Sequence, residues 1–598
     1  RSVSAFLLNR SSDLEMQGLK SINLPYSLTC VDESAFHSCE SLTTINLPEN
    51  IKTIGKSAFI GCRNLSSITI PNSVTTIGQG AFDGCSSLTS ITIPGSIKSV
   101  DMSAFGNSGL ESITFSEGVQ SIVGSLNNYE PSKITFISVP SSVTHVDDEA
   151  FQWCYSVETI SWNSNVSPNY ITRYSKVREV ELGDSVTVIP EYAFINCTGL
   201  TSINIPKNVS VIEKSAFQGC NNLESITVAP SNTVFDSRDN CNAIIETSTD
   251  KLILCCKNTV IPSTVRSIGD GVFSGFKDLT SIIIPDGVTS IGDKAFEGCT
   301  SLSSINLPAG ITEIRDWTFS ECEKLTDVNI PSSVVTIGVG AFYGCKGITS
   351  ITIPDNVTTI GSNAFYNCGS LTSIYIPKGV TSIGDMIISP GCLEYVTNPY
   401  DPYNPVMIIS PGNITSITVD PDNTVYDSRE NCNALIETAT GRLMVGCRNT
   451  VIPSGVKTIG DNAFAFCGGL TSINIPEGVT TIGNDAFLFT GITSITLPSS
   501  LTSIGESAFG HSAIESIIIP SSVVSIGYGA FSGCSKLTSL TLPDNITCIE
   551  ERLCSGCTSL ASITIPKSVV KIGNYAFCEC QRLSSIIIPE GVERISDL

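Results

Sequence analysis

The stretch Leu302–Cys322 reads LSSINLPAGITEIRDWTFSEC, and the chain then repeats it with small changes. Leu325–Cys345 reads LTDVNIPSSVVTIGVGAFYGC, and Ile348–Cys368 reads ITSITIPDNVTTIGSNAFYNC. These copies begin 23 residues apart, and roughly 23 copies, some of them degenerate, fill the 598 residues of the chain. Fixed self-similarity at a period of about 20–29 residues is typical of leucine-rich solenoids. The fold therefore depends on what one unit builds.

The aligned units share the pattern L-x-x-I-x-I-P-x-x-V-x-x-I-G-x-x-A-F-x-G-C-x-x. The first part, L-x-x-I-x-I, alternates at its end and is rich in β-branched residues, so it predicts a short strand that the proline ends. V-x-x-I predicts a second extended piece, and the glycine permits a turn. The A-F-x-G-C part is too short for more than one or two helical turns. Because one unit cannot bury its own apolar positions, stacked units must bury them together.

This pattern predicts one leucine-rich repeat solenoid over residues 1–598. We expect a curved right-handed coil with a long parallel β-sheet, and short extended segments and short helical turns on the other side. Irregular segments interrupt the period near residues 7–17, 123–175, 231–262 and 385–453. In two of them, apolar alternation on both sides of a turn predicts an inserted β-hairpin.

Each predicted hairpin carries a pair of cysteines. If ALIETATGRLMVG turns between positions 439 and 440, Cys432 falls opposite Cys447, and the same arithmetic on the other hairpin places Cys241 opposite Cys256. Facing strand residues lie about 4.5–5.5 Å apart, which is within disulfide reach. Two disulfides and four free buried thiols are therefore alternative predictions.

A different cysteine recurs in phase at the end of the unit, as in Cys322, Cys345 and Cys368. One cysteine per coil without histidine supplies no clustered metal ligands, so we predict neither a metal site nor a cofactor. Phe276 and Thr490 replace this cysteine in two units, and neither residue can form a cross-link. We predict that the repeated cysteine is a small buried residue whose weak S–H donor serves the turn.

The charge balance limits the partners. The chain has 56 acidic and 33 basic residues and a net charge of −23, so its surface repels phosphate backbones and predicts no nucleic-acid partner. It contains no long apolar run, so no membrane span is predicted. The N-terminal RSVSAFLLNR lacks the features of a signal peptide, and both ends look like cuts inside a longer array.

The sequence offers no set of residues for catalysis. The histidines His37, His145 and His511 lie more than 100 residues apart, hence several coils apart in a solenoid whose contacts are between near neighbours. No Ser-His-Asp or Cys-His group can be assembled from them, and H-E-x-x-H, P-loop and nucleotide-binding motifs are missing. We therefore predict no catalytic residues and no enzyme.

Aromatic residues concentrate where the period is broken. FQWCYSVETISWNSNVSPNYITRYS, at 151–175, holds two of the three tryptophans, and these aromatics either plug a packing defect or form a contact patch for a protein or glycan. The Pro- and Tyr-rich segment Asp385–Asn413 predicts either a rigid protruding loop or a degenerate coil.

In the regular units, the exposed strand positions are mostly Ser, Thr and Asn, with Tyr375, Ile283, Ile518 and Ile587 as departures at the fifth position. Small polar β-formers suit a solvated face, and a broad recognition surface is the alternative. The predicted ligand-binding residues are Trp153, Tyr155, Trp162, Tyr170, Tyr174, Tyr375, Tyr400 and Tyr403.

These motifs resemble the BspA-like leucine-rich repeat proteins of bacterial surfaces. The resemblance is carried by LTSIIIPDGVTSIGDKAFEGC at Leu279–Cys299, in which proline, glycine, Ala-Phe and cysteine all fall in register. The longer unit Asn423–Pro453 and its twin Asn232–Pro262 look like those of such proteins from Bacteroides-like anaerobes. The resemblance implies a secreted or surface-exposed protein of a kind often implicated in adhesion to host proteins or other cells, and it transfers no catalytic residues.

We therefore expect a non-enzymatic binding or adhesion scaffold, extracellular or at the cell surface, that contacts host or microbial proteins or glycans as a monomer. One alternative is a passive structural spacer of the cell envelope. Another is the targeting arm of a larger protein whose catalytic part lies outside this chain.

Overall fold

The structure is a computed structural model that describes residues 17–126, 131–167, 176–388, 391–398, 401–411 and 413–597. For residues 391–398 and 401–411 it describes the backbone alone. The backbone groups into two compact units, unit 1 (Arg1–Val265) and unit 2 (Arg266–Leu598). Each unit is a parallel β-solenoid of stacked coils, as predicted, and the single solenoid over the whole chain stays a prediction.

The strands are short, mostly two to four residues. Those of unit 1 are β1 (Cys30–Val31), β2 (Thr44–Asn46), β3 (Thr53–Ile54), β4 (Ser67–Thr69), β5 (Thr76–Ile77), β6 (Ser90–Ile93), β7 (Ser99–Asp101), β8 (Ser112–Phe115), β9 (Ser121–Val123), β10 (Phe136–Val139), β11 (His145–Val146), β12 (Thr159–Trp162), β13 (Glu179–Leu182), β14 (Val188–Ile189), β15 (Ser202–Ile205), β16 (Val211–Ile212), β17 (Ser225–Val228), β18 (Phe235–Asp236), β19 (Ala243–Glu246) and β20 (Lys251–Cys255).

The strands of unit 2 are similarly short and similarly spaced along the chain. They are β21 (Ser267–Ile268), β22 (Ser290–Ile291), β23 (Ser304–Asn306), β24 (Glu313–Ile314), β25 (Asp327–Asn329), β26 (Thr336–Ile337), β27 (Thr359–Ile360), β28 (Ser373–Ile376), β29 (Ser382–Ile383), β30 (Gly391–Asn398), β31 (Asp401–Pro411), β32 (Ser416–Val419), β33 (Tyr426–Asp427), β34 (Ala434–Glu437), β35 (Arg442–Gly446), β36 (Thr458–Ile459), β37 (Thr481–Ile482), β38 (Ser503–Ile504), β39 (Ser516–Ile518), β40 (Ser525–Ile526), β41 (Ser539–Thr541), β42 (Cys548–Ile549), β43 (Ser562–Ile563), β44 (Lys571–Ile572) and β45 (Arg594–Ile595).

Most regular coils contribute to two parallel ladders, although some, such as that of residues 348–353, form no strand in the first one. The first ladder comes from L-x-x-I-x-I: β2 pairs with β4, and Ile45 lies beside Ile68, one repeat apart. The second comes from V-x-x-I: β1, β3 and β5 pair in the same way, so the predicted extended piece is itself a strand. The predicted long sheet is divided into sheets of two to seven strands, and most of these strands have only two to four residues.

The Ala-Phe part of the unit forms successive turns where short helical turns were predicted. Its amides are used between coils: the Phe59 N–H donates to the Ala81 carbonyl at 2.8 Å, and the same bond recurs one coil later. Two residues four apart hold positive φ, as in Ser57 (φ 52°) and Gly61 (φ 73°), which interrupts any helix. Among the described residues, only Met102–Phe105, Arg238–Asn240 and Arg429–Asn431 are helical, and all three are 3₁₀-helices.

Antiparallel pairs occur at the irregular segments. β19 pairs with β20, and β34 pairs with β35, at the two positions where hairpins were predicted. The backbone of β30 and β31 forms a third antiparallel pair within 385–413, for which a protruding loop or a degenerate coil was predicted. None of the helices that the structure describes is long and apolar enough to cross a membrane.

The core of each unit consists of columns of equivalent side chains. The phenylalanines stack with nearly parallel rings, and the centroids of Phe319 and Phe342 are 5.4 Å apart. The repeated cysteines are buried, and the Cys345 thiol donates to the Phe319 carbonyl at 3.0 Å. The same bond recurs along both units, which confirms the predicted S–H donor.

Candidate binding surface

The first ladder presents one solvent-exposed face, here called the ladder face. It consists of the side chains that flank the buried middle residue of each first-ladder strand, as in the exposed–buried–exposed pattern of β4. As predicted, most of these residues are Ser, Thr and Asn. Some of them bond from coil to coil, since the Thr227 hydroxyl donates to Asn204 Oδ1 at 2.9 Å. The face is thus polar, regular and held by its own hydrogen bonds.

Large apolar side chains break this polar face at a few coils. Ile283 is 86% exposed, Ile587 82% and Ile518 72%, so the predicted departures do point outward. The structure adds Val260 and Val451, 73% and 72% exposed, which sequence reasoning missed. The signal was present, because each valine holds the fifth strand position in the NTVIP motif of its long unit. Solvated β-branched side chains of this size are available as contacts for a partner.

Tyr375 occupies the same fifth position and is 44% exposed. Its hydroxyl donates to Asp420 Oδ2 at 2.6 Å, and this hydrogen bond raises the pKa of Tyr375 to about 12. The bond lowers the pKa of the Asp420 carboxyl in turn. β28 pairs with β32, which places Tyr375 beside Thr418 although 43 residues separate them. The tyrosine ring is therefore fixed on the ladder face by an anchored hydroxyl.

The structure separates the other predicted ligand-binding residues. Trp153 and Tyr155 are partly exposed and contact each other edge to face, with ring centroids 6.2 Å apart. Trp162, also predicted to contact a ligand, is 2% exposed in the core of unit 1, and its Nε1–H donates to the Val166 carbonyl at 2.9 Å. This indole therefore has no surface for a ligand. Of the remaining predictions, Tyr170, Tyr174 and Tyr400 lie outside the described residues, and only the backbone of Tyr403 is described.

The four hairpin cysteines are free thiols in the structure. In the second hairpin the predicted turn places Glu437 opposite Arg442, but a bulge between Leu435 and Ile436 then shifts the register by one residue. The first hairpin has the same bulge. The thiols bond to separate backbone carbonyls: Cys432 to Ala434 and Cys447 to Asn433, with Cys241 and Cys256 as their counterparts.

A shallow depression of about 480 Å³ lies on the ladder face of unit 2. Val451, Asn474 and Thr496 line it at equivalent positions of three successive coils, together with Ser472 and Ser494. None of its lining residues is titratable. Hydroxyl and amide groups without an acid or base suit contact with a ligand, because general acid–base chemistry needs a group that changes its protonation state.

The three histidines belong to different coils, His37 and His145 in unit 1 and His511 in unit 2. His145 Nε2 is 2.9 Å from Asp147 Oδ1 on the exposed surface of unit 1. The His511 ring stacks on Phe489 in unit 2 with centroids 4.4 Å apart, and desolvation there lowers its pKa. Within the described part of the chain, no group of three or more His, Cys, Asp or Glu side chains could hold a metal ion.

A family model of leucine-rich repeats also matches this chain. The model of the BspA type leucine rich repeat region matches residues 14–130, 125–244, 253–368, 444–512 and 502–598. A search of curated proteins returns no match.

Among solved structures, the chain is similar to a leucine rich cell surface protein from Faecalibacterium prausnitzii, with 28% identity over 61% of this chain and 79% of that one and a TM-score of 0.31. It is similar to a leucine-rich repeat protein from Eubacterium ventriosum, with 23% identity, 61% and 91% coverage and a TM-score of 0.42. A third such protein, from Bacteroides ovatus, shows 24% identity, 69% and 88% coverage and a TM-score of 0.37. Because the family model matches well over half of its length, the chain belongs to the BspA type leucine-rich repeat family.

Proposed function

We propose that the chain is a non-enzymatic binding or adhesion scaffold, secreted or displayed at the cell surface, that contacts a protein or glycan through its ladder face. The observation that carries this proposal is the set of solvated apolar side chains at one position of an otherwise polar, regular face. Ile283, Ile518 and Ile587 each replace a residue that is Ser, Thr or Asn in most coils, and each is at least 72% exposed. When a partner covers an exposed apolar side chain, removing that surface from water makes the free energy of binding more favourable.

Two further observations support a role without catalysis. Burial raises the pKa of the repeated thiols, to about 12 for Cys62 and Cys299, so these cysteines are protonated at neutral pH and are poor nucleophiles. The three histidines lie several coils apart in the sequence, and no hydrogen bond joins a histidine ring to one of these thiols among the described residues. The acidic composition, with a net charge of −23, favours a partner other than nucleic acid.

A binding screen tests the ladder face. Purified chain is passed over immobilised matrix proteins, mucins and glycans, and the strongest ligand is titrated against the triple variant I283T, I518T and I587T. Threonine is the common residue at this position, so the variant keeps the coil while losing the apolar contacts. We expect roughly 100-fold weaker binding when the partner covers all three side chains, because each contributes roughly 1 kcal/mol.

The control is Val524→Thr, which removes an exposed apolar side chain next to the second-ladder strand β40, away from the ladder face. It should bind like the wild type. Binding that survives the triple variant contradicts the ladder face as the contact surface. A chain that binds nothing in the screen supports the passive spacer instead.

A further inference from the structure

Unit 2 carries an aromatic cluster within its regular coils, on the turn side and away from the ladder face. Trp317 contacts Tyr343, with ring centroids 5.6 Å apart and planes tilted by 59°. Tyr343 stacks on Tyr366 with centroids 5.7 Å apart and planes within 13°. The three residues belong to three successive coils. Trp317 and Tyr343 are partly exposed, whereas Tyr366 is 9% exposed.

The Trp317 indole is held against the backbone of the next coil. Gly340 is the equivalent residue there, and a Cβ added to it would lie 2.4 Å from Trp317 Cε3 and 2.7 Å from Cδ2. The six-membered ring therefore fills the space that a side chain at position 340 would need. Trp317 itself has φ 57°, a conformation that is unfavourable for a bulky residue. The indole is thus held between Gly340 and Tyr343, and part of its surface remains exposed to solvent.

A carboxylate without a partner lies in the same turns. Glu321 leans over Gly344, where an added Cβ would lie 2.8 Å from Glu321 Oε1. The neighbouring acids are paired: Lys346 Nζ is 2.9 Å from Glu323, and Lys294 Nζ is 3.7 Å from Glu297. Within the residues that the structure describes, the Glu321 carboxylate accepts no hydrogen bond and forms no ion pair.

In the next coil but one after Glu321, a side-chain amide oxygen is a second hydrogen-bond acceptor without a donor. Asn367 follows Tyr366 and is equivalent to Gly344 and Glu321 in their coils. Its side chain is 9% exposed, and its Oδ1 has no hydrogen-bond partner among the described residues. Leaving a buried acceptor unpaired is unfavourable, because its bond to water is lost and not replaced. The cluster therefore combines a fixed aromatic surface with the unpaired Glu321 carboxylate, and the buried Asn367 amide oxygen is a second unpaired acceptor in the same turns.

We propose that Trp317, Tyr343, Tyr366 and Glu321 form a binding site for a neutral oligosaccharide, with one pyranose ring stacked on the Trp317 indole. The C–H groups of a pyranose face carry slight positive charge and suit the negative face of an aromatic ring. Its hydroxyls are donors for the partly exposed Glu321 carboxylate. This site deepens the proposed function, on which it rests, by naming a ligand class and a second surface.

The local charges and ring geometry select this ligand class. Lys294 and Lys346 pair with Glu297 and Glu323, so the Glu321 carboxylate leaves a net negative charge among these five groups, which disfavours sulfated or sialylated glycans. A lysine or other ammonium group prefers aromatic faces that surround it. Here Tyr343 and Tyr366 stack nearly parallel and cover each other's faces, so they form no cage. A flat ligand with many hydroxyls fits better than a cation.

Calorimetric titration of the whole chain tests the site. The probes are neutral oligosaccharides of glucose, galactose, mannose and N-acetylglucosamine, with a heparin oligosaccharide and hexalysine as charged comparisons. We expect at least one neutral probe to bind, and Trp317→Ala to weaken that binding about tenfold or more. Glu321→Gln, which keeps the shape of the side chain, should weaken it severalfold. Tyr26→Ala removes an aromatic side chain that is 70% exposed in unit 1 and should leave binding unchanged.

Three results would overturn the proposal: no neutral probe binds, binding is unaffected by Trp317→Ala, or hexalysine alone binds in a manner that depends on Trp317. Far-UV circular dichroism of each variant separates lost binding from lost folding, and Glu321→Gln provides a second readout if Trp317→Ala is unstable. The ladder-face ligand is titrated in parallel. If Trp317→Ala leaves that ligand bound and no sugar binds, this site fails while the proposed scaffold stands.

Discussion

Raising the pH from 8 to about 11 is expected to unfold the coils, because the buried thiols cannot ionise in place. Burial raises the pKa of Cys62, Cys299, Cys467 and Cys534 to about 12 each. All four are at most 1% exposed. In the unfolded chain a cysteine has a pKa of about 8.5. Above that pH the unfolded chain releases protons that the folded chain still holds, so the free energy of unfolding falls as the pH rises.

The expected loss is large compared with ordinary stability. Each thiol removes about 1.4 kcal/mol of unfolding free energy per pH unit above the pKa of the unfolded chain. Between pH 9 and pH 11, four thiols remove roughly 10 kcal/mol, and a typical domain has about 5–15 kcal/mol in total. The stabilisation is fully present below pH 8 and declines through the window between the two pKa values. Far-UV circular dichroism from pH 7 to 11.5, in the presence of a reductant, measures it.

The control separates thiol ionisation from general charge repulsion, since the chain is already acidic. The variant with serine at positions 62, 299, 467 and 534 has nothing to ionise there, and it keeps a donor for the phenylalanine carbonyls that Cys62, Cys299 and Cys534 contact. Its midpoint of alkaline unfolding should lie at higher pH than that of the wild type, whatever its stability at pH 7. Equal alkaline midpoints for the two proteins would mean that the thiols are not the cause.

The repeating coil could be predicted from the sequence because identical units in register can bury their apolar positions only by stacking. The buried positions, the polar ladder face and the S–H donor of the cysteine all follow from that one constraint. Ile68, Phe82 and Cys85 are accordingly buried, and so are the residues at the same three positions one coil earlier.

The turn part of the coil could not be predicted in the same way. Ala-Phe sequences are compatible with a helical turn, and the choice depends on where the amides bond. The Phe59 N–H donates to the Ala81 carbonyl of the next coil, which is a contact between units that no single unit encodes. The left-handed residues that make this possible include Ser57 and Trp317 as well as glycines, so residue type alone does not identify them.

The candidate binding residues show that an irregular sequence segment does not by itself identify exposed side chains. Trp162 was predicted as a ligand contact because it lies in an aromatic, irregular stretch. Yet Val157, Ile160 and Trp162 match the L-x-x-I-x-I spacing, and the sixth position of that motif faces the core. The Trp317 cluster was missed for the opposite reason, since Tyr343 and Tyr366 lie inside regular units. Their contact depends on three coils stacking in register, which places residues 23 positions apart side by side.

Replacing Phe342 with alanine is expected to destabilise its own coil and the two neighbouring coils by about 3–5 kcal/mol. Phe342 is fully buried, and its ring stacks between Phe319 and Phe365 at centroid distances of 5.4 Å and 5.5 Å. Its carbonyl also accepts the Cys368 thiol at 3.2 Å. The substitution therefore leaves a cavity in the middle of a column, where neither neighbour can move to fill it without leaving its own stack.

Hydrogen exchange measures where this loss is felt. Because a solenoid is held by contacts between neighbouring coils, amides around residues 314–368 should exchange about 100- to 1000-fold faster in Phe342→Ala. Amides around Phe509 and Phe531, in distant coils of unit 2, should keep their rates. Phe342→Leu restores most of the volume and should show a smaller effect confined to the same peptides. Equal acceleration in the distant coils would show that unit 2 opens as one cooperative body, and nearest-neighbour stacking would then not describe its stability.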